Sequence, residues 1–339
     1  MPAFTVFKGS KDGAPKKSST QKPDQLVGDQ VLVRVTASGV CGTDLHYLQQ
    51  DMVLGHEGVG VVEAVGPDTK YLKKGDRVGW GYETDSCGHC HECISGEEIF
   101  CPERALYGDL GTRDQGSFAS GAVWREAFLH LIPEGMPDEA AAPLQCGGAT
   151  VFTALYDVKP NEVVAVMGVG GLGHLAIQFA AKLGCRVVVL SSSDRKRAQA
   201  LELGAHKFLA ITKEEGLDAK AIQEAGGVWP ISRLLVTASA QPSWATLLPL
   251  LAPHARIYPL SVSMDNLVIP YMPLLLKGIT VQGSLVASRS VHREMLEFAA
   301  VHGVRPIVET FPMTEEGIKE AVDRLAQGKV HYRAVLIPQ

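Results

Sequence analysis

The sequence predicts an α/β protein of two domains, one β-rich and one built on a doubly wound parallel sheet. Two observations carry this. Residues 31–131 fall into short apolar runs broken by Gly and Pro, the pattern of a compact, mostly antiparallel β unit. From about Gly147, apolar strands alternate with longer helical stretches, which implies parallel pairing with helices on both faces. A length of 339 residues fits two domains at ~150 residues each. With 46% hydrophobic residues the chain has material for a sizeable core, so disorder as the dominant state is excluded.

The elements follow in order. Residues 31–35, 59–62 and 77–80 read as strands of the first domain. Val163–Met167 is a buried strand, and residues 174–183 a helix with Leu175, Ile177, Phe179, Ala180 and Leu183 as its apolar positions. Residues 187–190 form the next strand, 195–203 the next helix, and 233–237 and 256–260 continue the series. After about Gly283 come a helix over 293–301 and two short apolar runs, 307–308 and 334–337. That tail is too short to fold alone and should pack back onto the first domain. The domains are therefore 1–148 with 284–339, and 149–283 inserted between them. No internal repeat or low-complexity tract is visible.

Net charge is −5 and the pI about 6.1, without the basic excess of a nucleic-acid binder. The N-terminus has no apolar stretch of signal-peptide length, and the C-terminus carries no lipidation or retention motif. Residues 163–181 hold no Asp, Glu, Lys or Arg and are long enough to span a bilayer. Four glycines, His174 and Gln178 inside that window favour a strand, a glycine turn and a helix instead. A cytoplasmic protein with reduced cysteines and no membrane partner is expected.

Seven cysteines is an odd number, which does not fit a fully paired disulfide scaffold. Cys87, Cys90, Cys93 and Cys101 form C-x2-C-x2-C-x7-C in a loop over about 86–102. Four thiolates so spaced can wrap one tetrahedral Zn²⁺ and close its coordination sphere, which makes the site structural. Two disulfides are the alternative, disfavoured by compartment and close spacing. His89 and His91 lie within the cluster as competing ligands. Of the remaining cysteines, Cys41 opens Cys41-Gly42-Thr43-Asp44-Leu45-His46, and Cys146 follows Gln145. Together with His56 they give two thiolates, one imidazole and an open fourth position, a catalytic zinc. Glu57 is placed to fill that position when substrate is absent, and Asp44 to accept from the other ring nitrogen of His56. Cys185 reads as a small buried hydrophobe.

Gly168-Val169-Gly170-Gly171-Leu172-Gly173 matches G-x-G-x-x-G between a strand and a helix, the context a dinucleotide turn requires. Its glycines admit a pyrophosphate to the helix N-terminus. The next strand ends in Ser191-Ser192-Ser193-Asp194, followed by Arg195, Lys196 and Arg197. Hydroxyls and cations suit a 2′-phosphate, so NADP(H) is favoured; Asp194 keeps NAD(H) open, since a carboxylate there would accept from the ribose.

Cys41-Gly-Thr-Asp-x-His46, Gly55-His56-Glu57 through Gly66, the four-cysteine lobe, Cys146 with Thr150, and the glycine turn together resemble the zinc-dependent medium-chain alcohol dehydrogenases. Ser191-Ser192-Ser193-Asp194 and Lys329-Val330-His331-Tyr332-Arg333 are most similar to the cinnamyl-alcohol-dehydrogenase-like NADP(H) branch. The resemblance implies a GroES-like catalytic domain and a Rossmann domain with the active site in the cleft between them, two zincs per chain, and a homodimer commonly built through the Rossmann sheets. It implies Cys41, His56 and Cys146 as ligands of the catalytic zinc with Glu57 exchanging, Thr43 bonding the alcohol oxygen and His46 passing its proton to solvent. Thr150 would contact the nicotinamide and Arg333 the pyrophosphate. The reaction is then hydride transfer between NADP(H) and an alcohol or aldehyde, with zinc polarising the carbonyl oxygen. On the same fold the alternatives are an NADPH-dependent iminium or activated-alkene reductase and a non-catalytic nucleotide-sensing protein. One departure stands out: only fourteen residues separate Cys41 from His56, fewer than in the cinnamyl-type branch. Residues 47–53 should therefore leave a wider mouth to the pocket, for which Trp80, Phe118 and Met272 are candidate lining residues.

Overall fold

The computed structural model describes residues 3–22, 25–211, 229–238 and 240–339. The chain divides into two units, Met1–Ala149 with Val286–Gln339, and Thr150–Leu285. The first unit begins with an antiparallel hairpin, β1 (Ala3–Lys8) and β2 (Lys16–Gln21). β1 buries Phe4, Val6 and Phe7, whereas no apolar pattern marks β2, whose one buried residue is Thr20. The predicted strands follow as β3 (Gln30–Val40), β4 (Gly58–Val65) and β5 (Arg77–Trp80). Between β3 and β4 lies the single turn α1 (Gly42–Leu45). The cysteine lobe sits between β6 (Glu83–Asp85) and β7 (Ala105–Leu106) and holds the turn α2 (His91–Ile94). β8 (Gly121–Arg125), β9 (His130–Leu131) and the short helices α3 (Asp138–Ala141) and α4 (Gly147–Thr153) complete the first pass.

The second unit alternates as predicted: β10 (Val163–Met167), α5 (Gly173–Lys182), β11 (Arg186–Ser191), α6 (Arg197–Glu202) and β12 (Lys207–Ala210). Then come β13 (Ile231–Val236), α7 (Trp244–Leu247), β14 (Leu251–Pro259), α8 (Tyr271–Lys277) and β15 (Thr280–Val281). All six strands pair in parallel, in the order β12-β11-β10-β13-β14-β15. The order turns back at β10, so the crevice beyond the strand ends lies there, above the glycine turn. Val164, Ala165, Val166, Leu234 and Leu235 are fully buried, as a sheet covered on both faces requires. The apolar window 163–181 is thus strand, turn and helix, and no helix among the described residues is long and apolar enough to cross a membrane.

The returning segment supplies α9 (Arg289–His302), β16 (Val308–Pro312), α10 (Glu315–Ala326) and β17 (Arg333–Ile337). It completes the sheet β16-β17-β3-β4-β5-β9, with β8 also on β3, so the tail packs onto the first unit. Helix α10 is an element the apolar runs do not reveal. Its signal is the Thr314 cap, which accepts from Gly317 N at 3.1 Å, ahead of Ile318, Ala321 and Val322 on one buried face.

Two histidines lie in this core. His130 of β9 and His292 of α9 stack with ring centroids 3.9 Å apart, both buried. Burial, with the Arg293 charge, pushes His292 down to about 3, and burial likewise holds His130 well below the ordinary range. Both rings are neutral in the native state, whereas the unfolded chain takes up their protons near pH ~6.5. The unfolded state therefore binds more protons between that pH and 3, and stability falls as the pH drops through this window, by up to about 1.4 kcal/mol per unit for each ring. Thermal melts between pH 7 and 4 should show that loss, with a shallower slope in His292→Gln. An unchanged slope in that variant would refute the assignment to His292.

Candidate active site

The predicted open metal set assembles around α1. Cys41 caps this helix, and Asp44 one turn on accepts from the Cys41 backbone N at 2.9 Å through Oδ2. Its other oxygen, Oδ1, lies 3.0 Å from His56 Nδ1. The phenol of Tyr107 completes the arrangement, donating to Asp44 Oδ1 at 3.2 Å and accepting from Gly55 N at 2.9 Å. The two ligand-bearing segments are thereby tied to one buried carboxylate. Cys146 arrives at the end of the 3-10 turn Ala142–Gln145, and the donor atoms of Cys41, His56, Glu57 and Cys146 lie within 4.8 Å of one another.

The chemistry of this set fits a metal. His56 Nε2 is buried and has no hydrogen-bond partner, a costly state unless its lone pair meets an ion. Burial opposes a charge on His56, but Asp44 prevails and holds the ring above its ordinary range, the basicity that a carboxylate on the far ring nitrogen lends a metal-binding imidazole. The neighbouring Cys146 thiol and His56 hold Cys41 well below the usual thiol range, favouring a thiolate. Glu57 is completely buried and its carboxylate accepts from Arg333 with both oxygens; burial raises it to about 7 against the pull of that guanidinium.

The four sulfurs of Cys87, Cys90, Cys93 and Cys101 likewise lie within 4.8 Å of one another. Cys87 Sγ accepts from Cys90 N and Cys101 Sγ from Glu103 N, both at 3.4 Å, which suits thiolate acceptors. None of the seven cysteines is in a disulfide. His89 is exposed and bonds the Cys87 carbonyl at 2.9 Å; with Cys87 and Glu103 it forms a third, solvent-facing group that shares its sulfur with the four-cysteine set. Cys185 is buried in the second unit, outside every such group.

At the glycine turn two of the glycines are sterically required and a third faces open space. Gly168 has φ +95°, and a Cβ on Gly173 would fall 1.9 Å from the Gly168 carbonyl, so α5 packs tightly behind the turn. A Cβ on Gly170 would meet nothing within 4 Å, which leaves an open face at the start of α5. At the end of β11, Ser191 and Ser193 are half-buried and Ser192 is exposed, while the Asp194 carboxylate is engaged by Arg197 Nε at 2.8 Å. Lys196 turns back to donate to the Val169 carbonyl inside the turn.

Residues 28–134 match the alcohol dehydrogenase GroES-like domain, and residues 171–301 the zinc-binding dehydrogenase family. The aldehyde reductase AdhA of Synechocystis is 35% identical over 325 residues, covering 93% of each chain. The chain belongs to the zinc-dependent medium-chain alcohol dehydrogenases. Among solved members, a cinnamyl alcohol dehydrogenase from Sorghum bicolor superposes with a TM-score of 0.88 at 33% identity, covering 99% of this chain and 97% of that one. A cinnamyl alcohol dehydrogenase from Helicobacter pylori, solved in complex with NADP(H), has a TM-score of 0.83 at 25% identity over 99% and 98%. This dehydrogenase is accordingly an oxidoreductase of the alcohol dehydrogenase type, with a GroES-like and a Rossmann domain.

Within this zinc dehydrogenase, Thr43 Oγ1 lies 3.8 Å from Cys41 Sγ at the edge of the metal set, and His46 is exposed at the end of α1. Thr150 is half-buried on α4. Arg333, which the resemblance assigns to the pyrophosphate, is buried, and its guanidinium donates to both oxygens of Glu57, a carboxylate sealed in the core that needs a cation. Trp80 and Phe118 are not pocket residues: both are fully buried in the core of the first unit, where Trp80 packs on Trp124 with centroids 5.5 Å apart. Met272 is exposed on α8. Sequence reading missed Tyr107, for which no spacing offers a signal. It also missed Tyr82, whose ring meets His56 edge-on at 5.7 Å and whose hydroxyl lies 3.5 Å from that of Tyr47.

Proposed function

We propose that this enzyme is an NADP(H)-dependent aldehyde reductase with two zincs per chain, one open and one closed. The observation that carries this is the unpartnered His56 Nε2 between two thiols, with Asp44 fixing the proton on Nδ1. Cys41, His56 and Cys146 hold the open zinc, and Glu57, steadied by Arg333, stands beside them as an exchanging ligand. When bound, that zinc supplies a Lewis acid for the substrate oxygen. The Thr43 hydroxyl orients this oxygen and gives up its proton as general acid, and His46, in contact with water, restores it. Gly168, Gly170, Gly171, Leu172 and Gly173 receive the pyrophosphate at the start of α5, and Thr150 contacts the nicotinamide.

The preference for NADP(H) rests on Ser191, Ser192, Ser193 and Lys196 at the end of β11, where the acidic alternative, Asp194, is occupied by Arg197. Charge-assisted bonds to a 2′-phosphate of about 1.5–3 kcal/mol give NADPH roughly a 10- to 100-fold advantage in kcat/KM. The test is oxidation of NADPH and NADH against aliphatic, aromatic and cinnamyl aldehydes, with metal analysis of the same sample. Equal kcat/KM for the two cofactors would refute the preference, and one zinc per chain would refute one of the two sites.

The enzyme is further read as a homodimer built on the second unit. Among the described residues strand β15 ends the parallel sheet with an open edge, and α8, which precedes it in the chain, exposes Tyr271, Leu275 and Leu276, the last by 79%. Exposed apolar residues in such a row mark an interface. Sedimentation should give twice 36.3 kDa, falling to 36.3 kDa in Leu276→Glu. A wild-type monomer would rule the dimer out.

A further inference from the structure

Three buried polar side chains behind Cys146 have no part in the chemistry above. Gln145, the residue before this ligand, is completely buried, with its Nε2 donating to the Ala141 carbonyl and its Oε1 accepting from His292 Nε2, both at 3.0 Å. The fold clears space for it at two glycines. A Cβ on Gly79 would fall 2.5 Å from Gln145 Cδ, and one on Gly81 would fall 2.4 Å from the Gln145 carbonyl oxygen and 3.5 Å from His292 Cε1. The amide is therefore held in a slot closed by strand β5 below and by His292 at its end.

His292 is itself held. His130 stacks on its ring, and its helix α9 is pinned at the first turn, where Glu98 Oε1 accepts from Arg289 N at 2.6 Å and Arg289 Nε at 3.0 Å. Glu98 in turn belongs to the four-cysteine lobe, its carbonyl accepting from Cys101 N at 2.8 Å. Three residues further along α9, the Met295 sulfur would lie 3.2 Å from a Cβ on Gly148, so the helix packs on both sides of Cys146. A buried hydrogen bond at an element junction fixes a backbone more tightly than apolar packing, since breaking it leaves an unpaired polar group.

We propose that His292 is a positioning residue for the open metal site: through its hydrogen bond to Gln145 it fixes the backbone that aims the Cys146 sulfur at Cys41 and His56. It touches neither metal nor substrate. Its loss should loosen one of the three ligands and so speed metal release, as outer-shell partners commonly change metal affinity 10- to 100-fold. This rests on the two-zinc reading above.

The test is zinc transfer from the full-length holoprotein to a chromogenic chelator, followed as two phases, one for each site. His292→Leu and Gln145→Leu should each accelerate the phase of the open site 10- to 100-fold and leave that of the four-cysteine site unchanged. His292→Gln, which keeps a donor in place, should stay within about threefold of wild type. Wild-type release in both leucine variants would overturn the proposal, even if their melting temperatures fall, because a merely structural role lowers stability without singling out one zinc. Should His292→Leu fail to fold, Gln145→Leu decides alone. A wild-type chain that binds a single zinc, on the four cysteines, removes both readings; two zincs with unaltered release removes this one only.

Discussion

Cys41→Ser should yield a folded chain that keeps the zinc of the four-cysteine lobe and loses roughly a thousandfold in kcat/KM for aldehyde reduction. The fold survives because Cys41 contributes little to it besides its backbone. The backbone N donates to Asp44 Oδ2 in either residue, and serine is the better helix cap. The site does not survive, because a serine hydroxyl stays protonated at neutral pH where the Cys41 thiol is held low by Cys146 and His56. Three protein ligands become two around His56 Nε2. A Lewis acid stabilises the developing charge by several kcal/mol, and about 4 kcal/mol corresponds to the thousandfold loss. Activity within tenfold of wild type, with zinc still at two per chain, would sink the assignment of Cys41.

What the sequence makes legible is local. Val163–Met167, the glycine turn and α5 are read at once because strand, turn and helix are contiguous, and Gly168 and Gly173 have steric reasons close by. The four cysteines of the lobe are legible for the same reason: only thirteen residues separate Cys87 from Cys101. What escapes is made by contacts far apart in the chain. Glu57 and Arg333 are 276 positions apart, and Gln145 and His292 are 147. Nothing local to either residue points to the Arg333–Glu57 pair; the fold makes it by bringing β17 antiparallel to β3. Trp80 and Phe118 mislead in the opposite sense, since a bulky apolar side chain carries the same signal in a pocket as in a core. Gln145 did leave a trace, as the one polar residue in the otherwise apolar run from Ala140 to Ala149, where a buried amide needs a partner.

Cys87→Ser should produce the opposite phenotype, a chain that loses stability before it loses chemistry. The lobe around Cys87 has almost no core of its own. Helix α2 is a single turn, Ile94 is 77% and Phe100 45% exposed, and Ile99 and Cys101 are the buried apolar residues of the stretch. On the two-zinc reading its order comes from the metal, and structural zinc is worth about 10 kcal/mol or more, comparable with the whole stability of a domain at roughly 5–15 kcal/mol. Loss of even part of that lowers the melting temperature by ten degrees or more, at about 2–4 °C per kcal/mol for a unit of this size. The damage should not stop at the lobe, because Glu98 leaves the first turn of α9 when the loop around Cys101 unfolds. Cys87→Ser protein recovered at low temperature should therefore hold its remaining zinc, on Cys41, His56 and Cys146, less tightly than wild type, whereas Cys41→Ser should leave the lobe zinc undisturbed. A Cys87→Ser chain that melts like wild type and carries two zincs would show that the four cysteines hold no structural metal.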